Sequence, residues 1–257
     1  MTKTPAISAV VLTHNEADNI KRCLESLLWC DEILLLDNST DETVALAKKI
    51  VPVKKLHIHT TAETDFSALR NLGLNLATSD WVLFIDADEE VSDALHNEIR
   101  NAVFNSSVSA FSIERHDFFL GRWLEHGEAR QRLVKLGKKS AGVWQRRVHE
   151  KWLVESTAHL KSPLYHYPHP SVGEFLDRIN RWTDMDAQQF FDQGKRSSFI
   201  RILAYPLAKF MRNYFFKMGF LDGMPGLIMA IMMSFHSFLT RAKLYFLEKK
   251  TNVHSQS

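Results

Sequence analysis

Four acidic residues stand close together directly after an apolar run in the first half of the chain. The segment Asp86-Ala87-Asp88-Glu89-Glu90 follows residues 81–85, which carry no charge. Neighbouring carboxylates repel one another, so such a cluster favours a cation among them, and oxygen ligands suit a hard divalent ion. If the extended geometry of a strand continues, Asp86 and Asp88 point the same way, one to a metal and one to a ribose hydroxyl. An acidic helix start is the alternative explanation.

The sequence offers no glycine-rich loop on which a diphosphate could rest. Gly73 is the only glycine in the first 120 residues, so neither a P-loop nor a dinucleotide-binding GxGxxG motif is present there. A metal held by carboxylates is the natural substitute, because it neutralises the same phosphate charges. The acidic cluster and the missing glycines therefore predict the same chemistry.

The elements that must position these residues alternate between strand and helix. Repeated βα units predict an α/β fold with a doubly wound, mostly parallel sheet. Ligands bind such sheets beyond the carboxyl ends of the strands, so we expect the site in residues 13–16, 37–40 and 86–89. Apolar runs predict strands at 7–12, 33–36, 53–59 and 81–85, and the predicted helix caps are Asn15, Thr40 or Asp41, Asp65 and Ser92.

The C-terminal part of the chain has a different character. Shorter strands and loops are predicted for residues 110–167, and helices from residue 171 onward, so we expect a catalytic domain at 1–170 and a helical extension at 171–257. Residues 195–250 hold ten basic and two acidic residues, a net charge of +8 that leaves −6 for the remainder. Basic, aromatic helices suit an anionic membrane surface.

This helical extension has alternative explanations. Residues 223–240 are uncharged, and we expect them to lie at the interface or to pack rather than to span a membrane. The two predicted helices at 199–220 and 225–247 could instead pack on the catalytic domain or on a partner subunit. No RNA-binding motif accompanies the positive charge, so we expect no nucleic acid partner. The first residues show no signal peptide, which predicts a cytoplasmic protein.

Four motifs follow one another along the chain: Val10-Val11-Leu12-Thr13-His14-Asn15-Glu16, Asp31-Glu32-Ile33-Leu34-Leu35-Leu36-Asp37-Asn38-Ser39-Thr40-Asp41, Arg70-Asn71, and Phe84-Ile85-Asp86-Ala87-Asp88-Glu89. In this order they resemble the motifs of the family 2 glycosyltransferases with the GT-A fold. The C-terminal half, including Val148-His149-Glu150, is similar to the lipopolysaccharide inner-core β-1,4-glucosyltransferases, which add glucose to a core heptose.

The resemblance implies a role for each motif residue in binding a nucleotide-sugar. A guanidinium is well suited to a diphosphate, and a metal would stabilise negative charge on the departing nucleoside diphosphate. The implied roles are a nucleotide pocket framed by Thr13, Asn15 and Glu16, a bond to the base or ribose from Asp37, a diphosphate contact from Arg70, a ribose contact from Asp86, and Mg²⁺ or Mn²⁺ binding by Asp88.

An inverting transfer also needs a base that takes the proton from the acceptor hydroxyl. Glu150 is the first candidate and Asp117 the second, although Glu150 could instead form a surface ion pair with its basic neighbours. His149 could complete the metal shell or contact the diphosphate. The group of His159, His166 and His169 has no ligand spacing, so we interpret these residues as partly buried histidines rather than a second metal site.

Together these observations predict an inverting glycosyltransferase. We expect it to move a hexose, glucose from UDP-glucose, onto a heptose of the lipopolysaccharide inner core, as a peripheral protein on the inner face of the inner membrane. A polyprenyl phosphate or another cell-surface saccharide is an alternative acceptor. A glycoside hydrolase and a non-catalytic membrane-associated scaffold are alternatives of other classes, and the oligomeric state is left open.

Overall fold

The computed structural model describes residues 5–105, 107–145, 150–168 and 171–254. The chain forms two compact units. The first unit comprises Met1–His116 and Gln131–Tyr167, and the second comprises Asp117–Arg130 and Pro168–Ser257. Residues 117–130, which the sequence places in the catalytic domain, thus group with the helical part of the chain.

The first hundred residues alternate between strands and helices, and further strands follow. Strand β6 begins in the first unit and ends in the second, which also contains β7. The elements are β1 (Ile7–Thr13), α1 (Ile20–Glu25), β2 (Glu32–Asp37), α2 (Thr43–Ile50), β3 (Leu56–Thr60), α3 (Phe66–Leu76), β4 (Trp81–Asp86), β5 (Glu89–Val91), α4 (Asp93–Phe104), β6 (Ala110–Phe119), β7 (Arg122–Trp123), β8 (Arg130–Lys138), β9 (Gly142–Gln145), β10 (Lys151–Val154) and β11 (Thr157–His166).

The main sheet of the first unit has the strand order β3-β2-β1-β4-β8-β6-β11-β5. Strands β3, β2, β1 and β4 are parallel, whereas β8 pairs with β4 and β5 pairs with β11 in antiparallel fashion. The expected α/β class is therefore confirmed, and the sheet as a whole is mixed. The parallel register sets Thr13 beside Asp37, at the carboxyl ends of neighbouring strands.

Helices cover both faces of the parallel strands, so alternate strand residues enter different cores. Val11 packs in the core that α1 and α4 close, and Val10 packs in the core beneath α3. Gly73 lets α3 approach β1 closely, because a Cβ at this position would lie 2.6 Å from Cγ1 of Val10.

Two of the four predicted helix caps are confirmed, and two are wrong. The N-cap of α2 is Glu42 rather than Thr40 or Asp41. Asp65 accepts hydrogen bonds from the second and third residues of α3, and Ser92 accepts one from Leu95 in α4. Asn15 does not cap α1, which begins at Ile20. Its φ of 57° instead places it in the left-handed region, which asparagine tolerates better than most residues.

The second unit is largely helical. Its helices are α5 (Val172–Asp192), α6 (Phe199–Met211) and α7 (Gly223–His254), and a π-helical turn at Arg212–Phe216 and a 3₁₀ turn at Gly219–Asp222 join the last two. Phe119, Phe175 and Met229 belong to its apolar core. The segment Gly219–Lys250 is long and apolar enough to cross a membrane by length and composition, with a mean hydropathy of 1.3, but core helices of soluble proteins meet the same criterion.

Candidate active site

The carboxyl ends of β1 and β2 form the first part of the site. Thr13 Oγ1 donates a hydrogen bond of 2.7 Å to Asp37 Oδ1, and both residues are buried. The backbone N–H of Ser39 donates to the other carboxylate oxygen of Asp37, at 3.2 Å. Each oxygen of an ionised carboxylate can accept more than one hydrogen bond. Asp37 is thus held in a fixed orientation with acceptor capacity left for a ligand.

Asn15 joins the loop after β1 to the loop after β2. Its backbone N–H donates to Ser39 Oγ at 2.9 Å, and its side-chain Oδ1 accepts from the backbone N–H of Thr40 at 2.8 Å. Glu16, the next predicted residue, accepts a 2.9 Å hydrogen bond from Asn19 Nδ2. The structure therefore brings Thr13, Asn15 and Asp37 to one edge of the sheet, with Asn15 fixing the loops.

The acidic cluster forms a tight turn between β4 and β5. Asp86 ends β4, Ala87 and Asp88 make the turn, and Glu89 begins β5. The extended geometry assumed from the sequence therefore stops at Asp86. The backbone N–H of Asp86 donates to Glu89 Oε2 at 2.9 Å, which ties the two ends of the turn together.

Lys135 on β8 neutralises part of this cluster. Its Nζ donates to Asp86 Oδ2 and to Glu89 Oε2, each at 2.8 Å, and only 3% of Lys135 is exposed. Glu90 accepts a 2.8 Å hydrogen bond from the hydroxyl of Tyr167. The protein thus supplies a cation of its own for two of the four carboxylates, which the sequence assigned to a divalent ion alone.

The pKa values of Asp86 and Glu89 move in opposite directions. Burial raises the pKa of Asp86, but Lys135 and Arg70 outweigh it and hold this pKa well below its ordinary value. Burial and the charge of Asp86 raise the pKa of Glu89, against the opposing effect of Lys135. Asp86 is thus a permanent anion at neutral pH, whereas Glu89 keeps a proton more readily than an exposed glutamate.

Arg70 connects the acidic turn with the candidate base. Its Nη2 donates to Asp86 Oδ1 at 2.8 Å and its Nε donates to Glu150 Oε1 at 3.1 Å. Its guanidinium lies 4.8 Å from the centre of the Trp144 ring, and the residue is only 5% exposed. The remaining nitrogen, Nη1, is buried and makes no hydrogen bond within the described parts of the chain. Arg70 thus keeps one buried nitrogen whose hydrogen-bonding capacity is unused among the described residues.

The two candidate bases lie in different units. Glu150 belongs to the first unit, and 20% of its side chain is exposed beside the buried Arg70, so it is more than a surface ion pair. Asp117 belongs to the second unit, where it is 6% exposed and its backbone bonds to Leu124 and Ala129.

Of the two predicted metal ligands, Asp88 and His149, the structure describes only Asp88. His149 lies outside the described residues. Asp88 is 8% exposed, and its Oδ2 lies 3.5 Å from Nε2 of His166 at the end of β11. Among the residues that the structure describes, no three His, Cys, Asp or Glu side chains converge as a metal site.

Sequence reasoning missed Lys135 and His166 as parts of this site. A lysine within the apolar segment Leu133-Val134-Lys135-Leu136 signals a buried partner, and this was the available clue. His166 was expected to be a partly buried structural histidine. Its burial is confirmed, at 7% exposure, but its neighbour is the predicted metal ligand Asp88.

The sheet edge with its Asp–Thr pair, the buried arginine and the acidic turn agree with what the resemblance to nucleotide-sugar-dependent glycosyltransferases implies. Comparison with known proteins agrees. The sequence model of the family described as "Glycosyl transferase family 2" matches residues 8–153, more than half of the chain. The protein therefore belongs to glycosyl transferase family 2.

Similar proteins extend over nearly the whole chain. The lipopolysaccharide core biosynthesis glycosyltransferase LpsC of Rhizobium meliloti is 26% identical over 93% of this chain and 92% of its own length. An uncharacterized glycosyltransferase of Rickettsia bellii is also 26% identical, over 99% of this chain and 91% of its own length.

Solved structures show the same fold at low sequence identity. S. aureus TarS 1-349 in complex with UDP-GlcNAc matches with a TM-score of 0.54 at 14% identity, over 96% of this chain and 92% of TarS 1-349. The mannosyltransferase PcManGT of Pyrobaculum calidifontis, in complex with GDP-Man and Mn²⁺, matches with a TM-score of 0.54 at 15% identity, over 95% of this chain and 88% of its own. The expected GT-A-type fold with a C-terminal helical extension is confirmed.

Proposed function

We propose that this protein is an inverting glycosyltransferase that moves a hexose, glucose from UDP-glucose, onto a heptose of the lipopolysaccharide inner core. One observation carries the catalytic part of the proposal. Arg70 bonds Asp86 on the donor side and Glu150, the candidate base, so a single buried side chain holds both. The full-length similarity to LpsC, a lipopolysaccharide core biosynthesis glycosyltransferase, supports the acceptor.

The donor would bind along the carboxyl ends of the parallel strands. Asp37 would accept hydrogen bonds from the base or ribose, within the pocket framed by Thr13, Asn15 and Glu16. Asp86 would contact the ribose, since its oxygens retain acceptor capacity beyond their bonds to Arg70 and Lys135. The unused Nη1 of Arg70 would donate to the diphosphate as a charge-assisted hydrogen bond.

The side chains near Asp88 fit a divalent ion. Lys135 bonds Asp86 and Glu89, whereas Asp88 Oδ2 lies 3.5 Å from the imidazole of His166. A carboxylate oxygen and an imidazole nitrogen are ligand types that Mn²⁺ accepts, and diphosphate oxygens would complete the shell. Asp88, with His149 or His166, would hold Mg²⁺ or Mn²⁺, and the ion would act as a Lewis acid toward the leaving diphosphate.

Glu150 would act as the base. The acceptor oxygen forms a bond to the anomeric carbon, the bond from that carbon to the diphosphate breaks, and Glu150 takes the proton of the hydroxyl. Attack opposite the leaving group inverts the configuration. Arg70 would orient Glu150 through the 3.1 Å hydrogen bond. A positioned base contributes roughly 10²–10⁴-fold, and Asp117 is the alternative base.

The acceptor also determines where the protein works. A heptose of the lipopolysaccharide core is built on a lipid anchor, so we propose a peripheral protein on the inner face of the inner membrane. The excess of basic residues in 195–250 supports contact with an anionic surface. A polyprenyl phosphate or another cell-surface saccharide is the alternative acceptor, and it would require the same location.

Thermal unfolding with UDP and Mn²⁺ tests the donor site. We expect UDP with Mn²⁺ to raise the melting temperature, and Asp88→Ala to remove the metal-dependent part of the rise. Asp93→Ala, a change of an exposed acid five residues away, is the matched control and should keep the full shift. A full shift in Asp88→Ala would move the metal to other ligands, and no shift in the wild type would refute the donor site.

A donor and acceptor screen tests the substrates. Purified protein is given UDP-glucose, other nucleotide-sugars, and core lipopolysaccharides truncated at the heptose. We expect transfer from UDP-glucose to heptose-terminated core, with inversion at the anomeric carbon. Transfer to polyprenyl phosphate alone would select the alternative acceptor, and a product with retained configuration would contradict the role of Glu150.

A further inference from the structure

Helix α6 exposes apolar side chains although its composition suits a protein interior. None of its 13 residues is buried. Ile200 is 74% exposed, Leu203 55%, Leu207 63% and Met211 39%. Exposed apolar residues are ordinary when they are scattered, but a contiguous patch marks a surface for a partner or a membrane.

These side chains share one face of the helix. At 3.6 residues per turn, positions 200, 203, 207 and 211 fall on one stripe. The opposite side of α6 faces α7, where Ser234 Oγ donates a 2.8 Å hydrogen bond to the carbonyl of Pro206. The exposed stripe is therefore a second apolar face, additional to the one that packs within the second unit.

The charges around α6 have one sign. No acidic residue occurs from residue 193 to 221, a segment that holds Arg201 within α6 and Arg212 directly after it. Lys209, however, is held by Glu128, with its Nζ 2.8 Å from Oε1 and 2.7 Å from Oε2. Arg212 Nη1 lies 3.8 Å from the same carboxylate, although 60% of the Arg212 side chain is exposed. Fewer cations are thus available to a surface than the sequence suggests, and the apolar stripe must contribute most of any binding.

We propose that α6 is an insertion helix that lies in the surface of an anionic lipid bilayer. Ile200, Leu203 and Leu207 enter the boundary of the acyl chains, while Arg201 and Arg212 meet lipid phosphates. At about 1.5 Å per residue the helix is roughly 20 Å long, too short to cross the hydrocarbon region, so it lies in the plane. This inference deepens the proposed function, since it explains how the enzyme reaches a lipid-linked acceptor.

Vesicle flotation with matched leucine variants tests the stripe. Leu203→Gln with Leu207→Gln changes two stripe residues, and Leu76→Gln with Leu176→Gln changes two leucines on α3 and α5 that are each 40% exposed. With vesicles of phosphatidylcholine and phosphatidylglycerol, we expect the stripe pair to weaken binding roughly ten-fold or more, because the apolar contact is lost. Binding that equals the wild type in the stripe pair would overturn the proposal.

A fluorophore at position 203 tests insertion directly. Cys23 and Cys30 are free but buried, so an introduced exposed cysteine can be labelled selectively. An environment-sensitive dye on Leu203→Cys should shift to the blue with vesicles and become protected from aqueous quenchers. The same dye on Val53→Cys, where Val53 is 86% exposed in the first unit, should not change. An unshifted dye at 203 on bound protein would contradict insertion.

Two measurements separate this inference from its rivals. If the stripe instead covers a second copy of the chain, sedimentation without lipid will show a dimer that the stripe pair dissociates, and the proposal fails. The UDP and Mn²⁺ thermal shift should be equal in the wild type and the stripe pair. Vesicle binding without any thermal shift would refute the proposed function alone, and a thermal shift without vesicle binding would refute the insertion helix alone.

Discussion

Two regions, one in each unit, depart from the usual rule of burial in opposite directions. The turn after β4 and its partner strand bury charge, with Glu89 at 0% exposure and Lys135 at 3%, whereas α6 exposes Leu203 at 55% and Leu207 at 63%. Buried ion pairs add little net stability compared with apolar residues of the same size, and exposed apolar surface adds none. Neither feature serves folding, so each is better explained by what its unit binds.

The two regions differ in whether their unusual residues have partners within the protein. Every acidic residue of the turn after β4 has a partner inside the first unit, as Lys135 shows for Asp86 and Glu89. No described side chain buries the apolar stripe of α6 in a comparable way. A site whose charges are already oriented suits a small polar ligand, because little reorganisation accompanies binding. An uncovered apolar face suits an extended surface.

The largest expected effect concerns Glu150, the candidate base that Arg70 links to the charged cluster. Glu150→Gln keeps the shape of the side chain but removes the proton acceptor, so we expect turnover to fall about 10²–10⁴-fold. Donor binding, measured by the UDP and Mn²⁺ thermal shift, should change little. Glu155→Gln, on an exposed neighbour, should retain full turnover. Full activity in Glu150→Gln, with a loss in Asp117→Asn, would transfer the role of base to Asp117.

The next effect tests whether the buried charges balance one another. Lys135→Met removes the cation from Asp86 and Glu89, and breaking a buried ion pair typically costs about 3–5 kcal/mol. Urea unfolding should show this loss. Lys21→Met, at an exposed ion pair with Glu25, should change the free energy of unfolding by less than about 0.5 kcal/mol. Equal losses in the two variants would mean that the cluster is no different from a surface ion pair.

Features that depend on neighbouring residues were predicted well from the sequence. Strands β1, β2 and β4 follow from β-branched and apolar runs, and the caps at Asp65 and Ser92 follow from side chains that bond their own helix. The meeting of residues 13–16 and 37–40 follows equally from the topology, because parallel strands end at one edge, although the hydrogen bond between Thr13 and Asp37 was not predicted. The sequence patterns behind these features span only a few residues or a single βα unit.

Features that depend on distant residues were missed. Lys135 is 49 residues from Asp86 and reaches it because β8 adds to the sheet beside β4, which no local pattern encodes. Asn15 has the residue type of a helix cap, but Thr40 of another loop uses its side chain. The bond of Lys209 to Glu128, 81 residues away, was hidden for the same reason.

A smaller effect concerns the acid that holds a lysine of α6. Burial raises the pKa of Glu128, but the hydrogen bond and charge of Lys209 lower it by more than burial raises it. The pKa of Glu128 therefore lies below the ordinary 4.5. The folded state then binds this proton less readily than the unfolded state. The ionised group stabilises the fold above pH 4.5, and this contribution is lost as the pH falls through the lowered pKa.

Glu128→Gln checks this sign. At neutral pH the variant should lose roughly 1 kcal/mol of unfolding free energy, since one charge-assisted hydrogen bond is weakened. The difference from the wild type should shrink as the pH falls below 4.5. Unfolding curves across this range provide the measurement, with Glu155→Gln as the exposed control. A difference that grows toward acid would mean that the pKa of Glu128 is raised instead.

The smallest expected effect is the one that most sharply separates the two regions. Leucine and glutamine have similar helix propensities, so Leu203→Gln with Leu207→Gln should change the free energy of unfolding by less than about 0.5 kcal/mol without lipid. Residues that already face water have little apolar contact to lose. A loss above about 2 kcal/mol, the size expected for buried leucines, would mean that the stripe packs against protein in solution. In that case the second unit would obey the ordinary rule of burial, and only the charged cluster would remain an exception.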